Sequence, residues 1–191
     1  ILEFFVLTPL PGSQDHKQLF DAGVAMDADM NNYDTQHVTT AHAKMSAEQW
    51  RDAYRDAWTR YYSPEHIQTL LRRARASGIK TRKMAHMAVW FHGCSTIEGV
   101  HPLDGGLFRM KSRNERRPEL PVESVLRFYS RYGWEIVSKH VRFLRLIVRL
   151  RWLARRLDRD PEAGNYRDDA SRAGLSEDGL SLELLAPRVN A

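Results

Sequence analysis

The run that follows Pro121 and reaches about Leu157 limits the fold more than any other stretch of this chain. Its apolar residues recur at helical rather than alternating spacing, which predicts a long amphipathic helix with Gly133 as the point where it would break. The second half, KHVRFLRLIVRLRWLARRLDR, sets Arg142, Arg145, Arg149 and Arg156 near one face and Val141, Leu144, Val148, Leu150 and Leu153 near others. Such an element needs other helices to cover it, so the expected class is mainly α. No apolar run approaches the roughly 20 residues that a membrane-spanning helix needs, and no charged-then-apolar signal segment opens the chain.

The covering helices can be placed from their punctuation. Ser13 can cap a short helix over residues 14–22, with Asp15 in its first turn and Gly23 as its stop. Ser46 and Gln49 make a capping box, after which Trp50, Tyr54, Ala57, Trp58 and Tyr61 share one face. Ser63 and Pro64 then start a helix whose buried positions should be Ile67, Leu70, Leu71 and Ala74, ending at Gly78. A third helix is expected over residues 79–91. Gly93, Gly99, Pro102, Gly105 and Gly106 break regular structure beyond it, and Asp104-Gly105 could turn a hairpin between residues 95–100 and 107–111. Residues 24–44 lack a period and read as a long ordered loop, a kind of segment that is usually functional.

Charge divides the chain in three. Residues 1–63 carry 5 basic against 9 acidic side chains, residues 64–159 carry 21 against 8, and residues 160–191 carry 3 against 7. The basic helix admits three readings: a solvated or partner-packed face, an anionic membrane surface, or a nucleic acid. Nucleic acid ranks last, because no strand surface carries the interleaved aromatics of a single-strand binder. The acidic end, Asp-, Gly- and Ser-rich, is expected to be a loosely ordered tail.

Few residues offer chemistry by spacing alone. Cys94 is the one cysteine, so this chain can build neither a disulfide framework nor a thiolate set for zinc or iron–sulfur. The expected setting is cytoplasmic, peripheral to the membrane if the basic helix docks there. His37 and His42, near Asp34, have weak metal-ligand spacing. His92 and His101 flank Cys94 and Glu98 in FHGCSTIEGVH, where a buried structural thiol is favoured over a nucleophile.

The N-terminal stretch LEFFVLTPL proposes one strand over residues 2–10, ended by Pro9, Pro11 and Gly12. It starts at once at Ile1 with nothing before it to pair with, which predicts that the chain is the C-terminal part of a longer protein.

Four segments, FFVLTPLPGSQDH, MDADMNNYDTQHVTTAHAKMS, YYSPEHI and EGVHPLDGGLFRMKSRNERRP, together resemble the C-terminal region of radical S-adenosylmethionine proteins that carry an N-terminal cobalamin-binding domain. The resemblance covers roughly residues 1–157. It implies that residues 1–23 hold the last strand and helix of a partial β/α barrel and that residues 24–121 are a C-terminal extension with a helical and a Gly-rich hairpin. Residues 122–159 would be the basic helix and 160–191 the acidic tail.

For the intact protein the resemblance implies a 4Fe–4S cluster that reductively cleaves S-adenosylmethionine for radical chemistry such as methyl transfer, with cobalamin as a further cofactor and a small-molecule or lipid-like substrate. The family's C-x3-C-x2-C cluster motif has no counterpart here, so the cluster and the cobalamin domain would lie in missing N-terminal domains and this fragment alone should be inactive. Leu7, Thr8 and Pro9 match the end of the barrel strand and would lie beside the adenosyl moiety. The substrate pocket is expected to draw on Tyr33, Asp34 or His37, or on Glu98 and His101. The alternative is a non-enzymatic α-helical module that binds RNA or an acidic partner.

Overall fold

The computed structural model describes residues 1–106, 109–117 and 119–169. Among the described residues five α-helices carry the architecture: α1 (Gln14–Asp21), α2 (Ala47–Tyr61), α3 (Pro64–Ala76), α4 (Thr81–Gly93) and α5 (Val125–Arg159). The caps at Ser13, Ser46 and Ser63 are those the sequence announces, and Ser124 adds one it did not. Ser13, Ser63 and Ser124 each accept a backbone N–H of the first turn, and Ser46 with Gln49 closes a complete capping box. Ile67, Leu70, Leu71 and Ala74 are all buried on α3. The α2–α3 hairpin packs with α4 and the C-terminal half of α5 around a core of Trp58, Tyr62, Ile67, Leu71, Ala85, Ala88, Phe91, Leu150, Ala154 and Leu157.

α5 runs unbroken through 35 residues, so Gly133 does not interrupt it. Nothing lies within 4 Å of where a Cβ would stand on Gly133. Its helix-weakening entropy is borne by a helix otherwise anchored at Phe128, Phe143, Leu150, Ala154 and Leu157. α4 and α5 touch where Gly93 leaves room for the buried ring of Phe143.

The opening segment is extended but builds no ladder. Among the described residues there is one isolated antiparallel bridge, Met26 with Thr40, and no strand, so the expected strand over residues 2–10 is not formed. Its partners are irregular instead. Val6 N–H donates to the Thr35 carbonyl at 2.9 Å, and the Tyr62 hydroxyl donates to the Leu2 carbonyl at 2.6 Å. Burial holds that phenol neutral, raising its pKa far above the ordinary range. Phe4 and Val6 turn inward, Phe4 edge-on to Trp58 and Tyr61. Phe5 is half-exposed with its ring against His101 at 4.6 Å, and Leu7 is 80% exposed. The segment therefore leaves apolar surface uncovered at Leu2, Leu7 and Leu10.

The described residues of the expected Gly-rich hairpin form no strand, and Leu107 and Phe108 of its second arm lie outside the described residues. Cys94–Glu98 instead forms one π-helical turn that closes on Gly99 in the left-handed conformation at φ 70°. A 3₁₀ turn, Pro102–Asp104, follows. Local side-chain bonds compete successfully with a ladder here. Glu98 Oε2 accepts the Gly106 N–H at 2.9 Å and His101 Nδ1 accepts the Leu103 N–H at 3.2 Å.

The acidic end is docked as far as it is described. Ala163 is buried in the 3₁₀ turn Glu162–Asn165, Arg73 donates to Asp168 at 2.7 Å, and Arg72 lies over the Tyr166 ring. The expectation of a loosely ordered tail thus fails for residues 162–168, because Arg72 and Arg73 of α3 meet it. The rest of that tail, residues 170–191, lies outside the described residues.

Glu135 on α5 makes a pH prediction possible. It accepts Lys111 Nζ on both oxygens, at 2.6 and 2.8 Å, and Lys139 Nζ at 2.7 Å. Those bonds, Lys111 first, bring its carboxyl down to about 2. Because the folded pKa is depressed, the contribution is complete above the unfolded value near 4.5 and is lost as pH falls toward 2. Glu135→Gln should cost about 0.2–1 kcal/mol at neutral pH, the range for solvent-screened pairs. Urea unfolding of both proteins at pH 7 and at pH 2 should show the difference at the first pH only.

Candidate functional site

Three segments far apart in sequence close one cleft of about 1040 Å³. The loop of residues 24–44 supplies Asp34, Gln36 and His37. One face of α2 supplies Arg51, Tyr54, Arg55, Trp58 and Thr59, and the turn region after α4 supplies Ser95, Thr96, Gly99, Val100, Asp104 and Arg109.

The loop is held by its own carboxylates. Asp27 accepts the Asp29 N–H at 2.8 Å and the Asn32 side-chain amide at 2.7 Å, while the Tyr33 hydroxyl donates to the Asp27 carbonyl at 2.8 Å. Tyr33 is thus a strut of the loop and not part of the cleft wall. Asp34 Oδ1 accepts the amides of Gln36 and His37 at 2.7 and 2.9 Å, and Asp34 Oδ2 lies 2.8 Å from His37 Nδ1. Burial alone would raise the Asp34 carboxyl, but those two amides and the imidazole together hold it below the usual carboxylate range. The pair fixes the His37 ring with Nδ1 on the carboxylate, leaving Nε2 for a ligand.

Thr8 ties the loop to the opening segment: its Oγ1 donates to the Asp34 carbonyl at 2.8 Å and also lies 3.2 Å from the Val6 carbonyl. Of the three residues expected beside S-adenosylmethionine, Thr8 is half-buried behind the cleft, Pro9 is buried and Leu7 is exposed. None of them lines the cleft.

The far wall rests on two buried groups. His101 is nearly inaccessible, packed against the rings of Phe5 at 4.6 Å and Trp58 at 5.5 Å. Burial pushes its pKa below the usual histidine range, so it is a neutral packing residue under the cleft floor. Cys94 is fully buried beneath Gly105, where an added Cβ would stand 2.5 Å from its Sγ. Burial first, then the Glu98 carboxylate, pushes the thiol up to about 12. A Cys94-dependent nucleophilic enzyme is inconsistent with that environment, since the thiolate is the reactive form. The native protein should therefore leave Cys94 unmodified by a thiol reagent at pH 8 on a timescale of minutes, and react at the unfolded-thiol rate in denaturant. Rapid native labelling would contradict the burial.

The histidines do not converge. His42 packs on the Trp50 ring and accepts the Lys44 N–H, His37 is committed to Asp34, and His92 lines a smaller cleft against α5 with Leu146 and Arg149. Among the described residues no three His, Cys, Asp or Glu side chains are placed to hold a metal ion.

What the site offers is charge and an aromatic floor. Arg51 and Arg55 project from one face of α2, and Arg109 donates to the Asp104 carbonyl. Gln36 reaches Asp104 across the mouth at 3.4 Å. Three guanidiniums, of which Arg55 also pairs with Asp52 at 3.5 Å, stand beside Asp34 and Asp104 over Tyr54 and Trp58 and suit a ligand with an anionic group and an apolar body. Sequence reasoning named Asp34 and His37 but missed the arginines. Their signal was the spacing of Arg51, Tyr54, Arg55 and Trp58 at i, i+3, i+4 and i+7, which shares a face with the aromatic stripe. No protein-family model, curated protein or solved structure matches this chain.

Proposed function

We propose that this chain is the C-terminal part of a radical S-adenosylmethionine enzyme, in which the cleft receives the end of a small or lipid-like substrate that bears an anionic group. The observation that carries the reading is the meeting, in one cleft, of the two segments MDADMNNYDTQH and EGVHPLDGG, with the TPLPG turn tied to the first of them through Thr8 and Asp34. The exposure of Leu2, Leu7 and Leu10 supports it too, since a barrel strand would bury both faces.

The chain's own donors do not fit an iron–sulfur cluster. Such a cluster needs several thiolates, and the single cysteine here is buried with its thiol held protonated. In this reading the cluster and cobalamin are held elsewhere in the intact protein. Arg51, Arg55 and Arg109 anchor the anionic end of the substrate, Tyr54 and Trp58 pack its apolar part, and His37, held at Nδ1 by Asp34, lines the same cleft.

The test is made on the gene product that includes whatever is encoded before Ile1, purified without oxygen. Iron and sulfide in cluster stoichiometry, with 5′-deoxyadenosine formed from S-adenosylmethionine under reduction, are the expected results. Arg51→Gln/Arg55→Gln should keep the cluster and reductive cleavage yet lose product formation. A product free of iron that binds RNA with a steep salt dependence would replace this reading by the helical binding module.

A further inference from the structure

α5 is apolar on two opposite faces, and only one of them is used by the core. Phe128, Phe143, Leu150, Ala154 and Leu157 point inward. On the other side Trp134, Val137, Val141, Leu144, Val148 and Trp152 follow one another at intervals of three and four residues, so they form one stripe. All six are exposed, from 41% at Val141 to 73% at Trp134. At 1.5 Å per residue the stripe is about 27 Å long.

Its borders identify the partner. Residues 136–157 contain no aspartate or glutamate and seven basic side chains: Lys139 and six arginines. Arg145, Arg149 and Arg156 follow one edge of the stripe, Arg151 the other, and Arg155 continues it toward the C-terminus. Arg156 lies over the Trp152 ring, 5.6 Å from its centroid. The interval of three and four would also suit a helix from a second copy, but that copy would bring arginines against arginines with no carboxylate on the seam. A nucleic acid would use the arginines and leave the valines and leucine in water.

We propose that this face of α5 docks on an anionic lipid surface, with Val137, Val141, Leu144 and Val148 entering the acyl boundary. The two tryptophans sit at the headgroup level at either end, and the arginine stems spread their guanidiniums among the phosphates. The core face of the same helix stays packed, so docking needs no unfolding. The inference does not depend on the cleft.

The experiment is cosedimentation of the 191-residue chain with vesicles of phosphatidylcholine alone and of phosphatidylcholine mixed with phosphatidylglycerol. Binding to the mixed vesicles is expected, with the tryptophan emission shifted to the blue and little binding to the neutral ones. Leu144→Ser/Val148→Ser should weaken that binding about tenfold or more, with far-UV circular dichroism and thermal unfolding unchanged because both side chains are exposed. Arg145→Gln/Arg151→Gln should weaken it as well, through charge alone. Absence of binding to the mixed vesicles would overturn the proposal. So would serine variants that bind like the parent, or a dimer in sedimentation equilibrium that the serine variants dissolve.

Discussion

Trp58→Ala is expected to lower the unfolding free energy by about 3–5 kcal/mol. Trp58 is 5% exposed and meets four rings: Tyr62 stacks on it at 5.5 Å, and Phe4, Tyr54 and His101 approach edge-on. Its loss removes a buried indole and opens a void between α2, the opening segment and the turn region. α2 and the turn region wall the cleft, and the opening segment packs on Trp58 through Phe4, so the same variant should release residues 1–9 to proteolysis well below the global unfolding midpoint. Trp58→Phe retains the ring contacts with Tyr62 and Phe4 and should recover more than half of the loss. Chemical denaturation of the three proteins, with limited proteolysis of each, checks both parts.

Gly93→Ala is the second large effect, by overpacking instead of by a void. An added Cβ at Gly93 would overlap the Phe143 ring, standing 2.6 Å from its Cζ. Phe143 is 3% exposed and cannot swing into solvent without leaving the α4–α5 contact. A loss of about 1–3 kcal/mol is expected, larger for Gly93→Val. The cause is identified by a double variant. Gly93→Ala/Phe143→Leu should be less destabilised than the sum of its single changes, because the smaller side chain yields the space. Additive changes, or a Gly93→Ala variant as stable as the parent, would mean that the Phe143 ring does not set the cost.

The helical frame was legible because its signals are local. Ser46 with Gln49 and Ser63 with Pro64 fix helix starts within a few residues, and the i, i+3, i+4 spacing of Ile67, Leu70, Leu71 and Ala74 names a buried stripe without tertiary knowledge. Two expectations failed for the opposite reason. Asp104-Gly105 looks like a hairpin turn, but Glu98 and His101 capture nearby N–H groups, and Gly105 is small because Cys94 and Trp90 lie against it. Residues 2–10 have strand composition, yet among the described residues no second strand accepts them.

The site was half legible. Asp34 and His37 stand in an unperiodic polar loop, which is itself a signal, whereas the meeting of that loop with Gly99, Val100 and Arg109 depends on how α2 and α4 pack. The aromatic residues of α2 share one face in the sequence, but only the packing shows that Trp58 is buried while Tyr54 beside it lines the cleft with Arg51 and Arg55. Charge and apolarity on α5 were visible as well. Only the packing shows that Phe143 and Leu150 belong to the core while Leu144 and Val148 do not.

Amide hydrogen exchange over residues 2–10, compared between this chain alone and the intact gene product, tests the account at its centre. In the isolated chain the Val6 amide, bonded to the Thr35 carbonyl, should be slow and its neighbours fast. In the intact protein, amides on both sides of Val6 should slow by about two or more orders of magnitude as sister strands take up Phe5 and Leu7. Identical fast exchange in both would show that the segment has no sheet to join and would contradict the assignment.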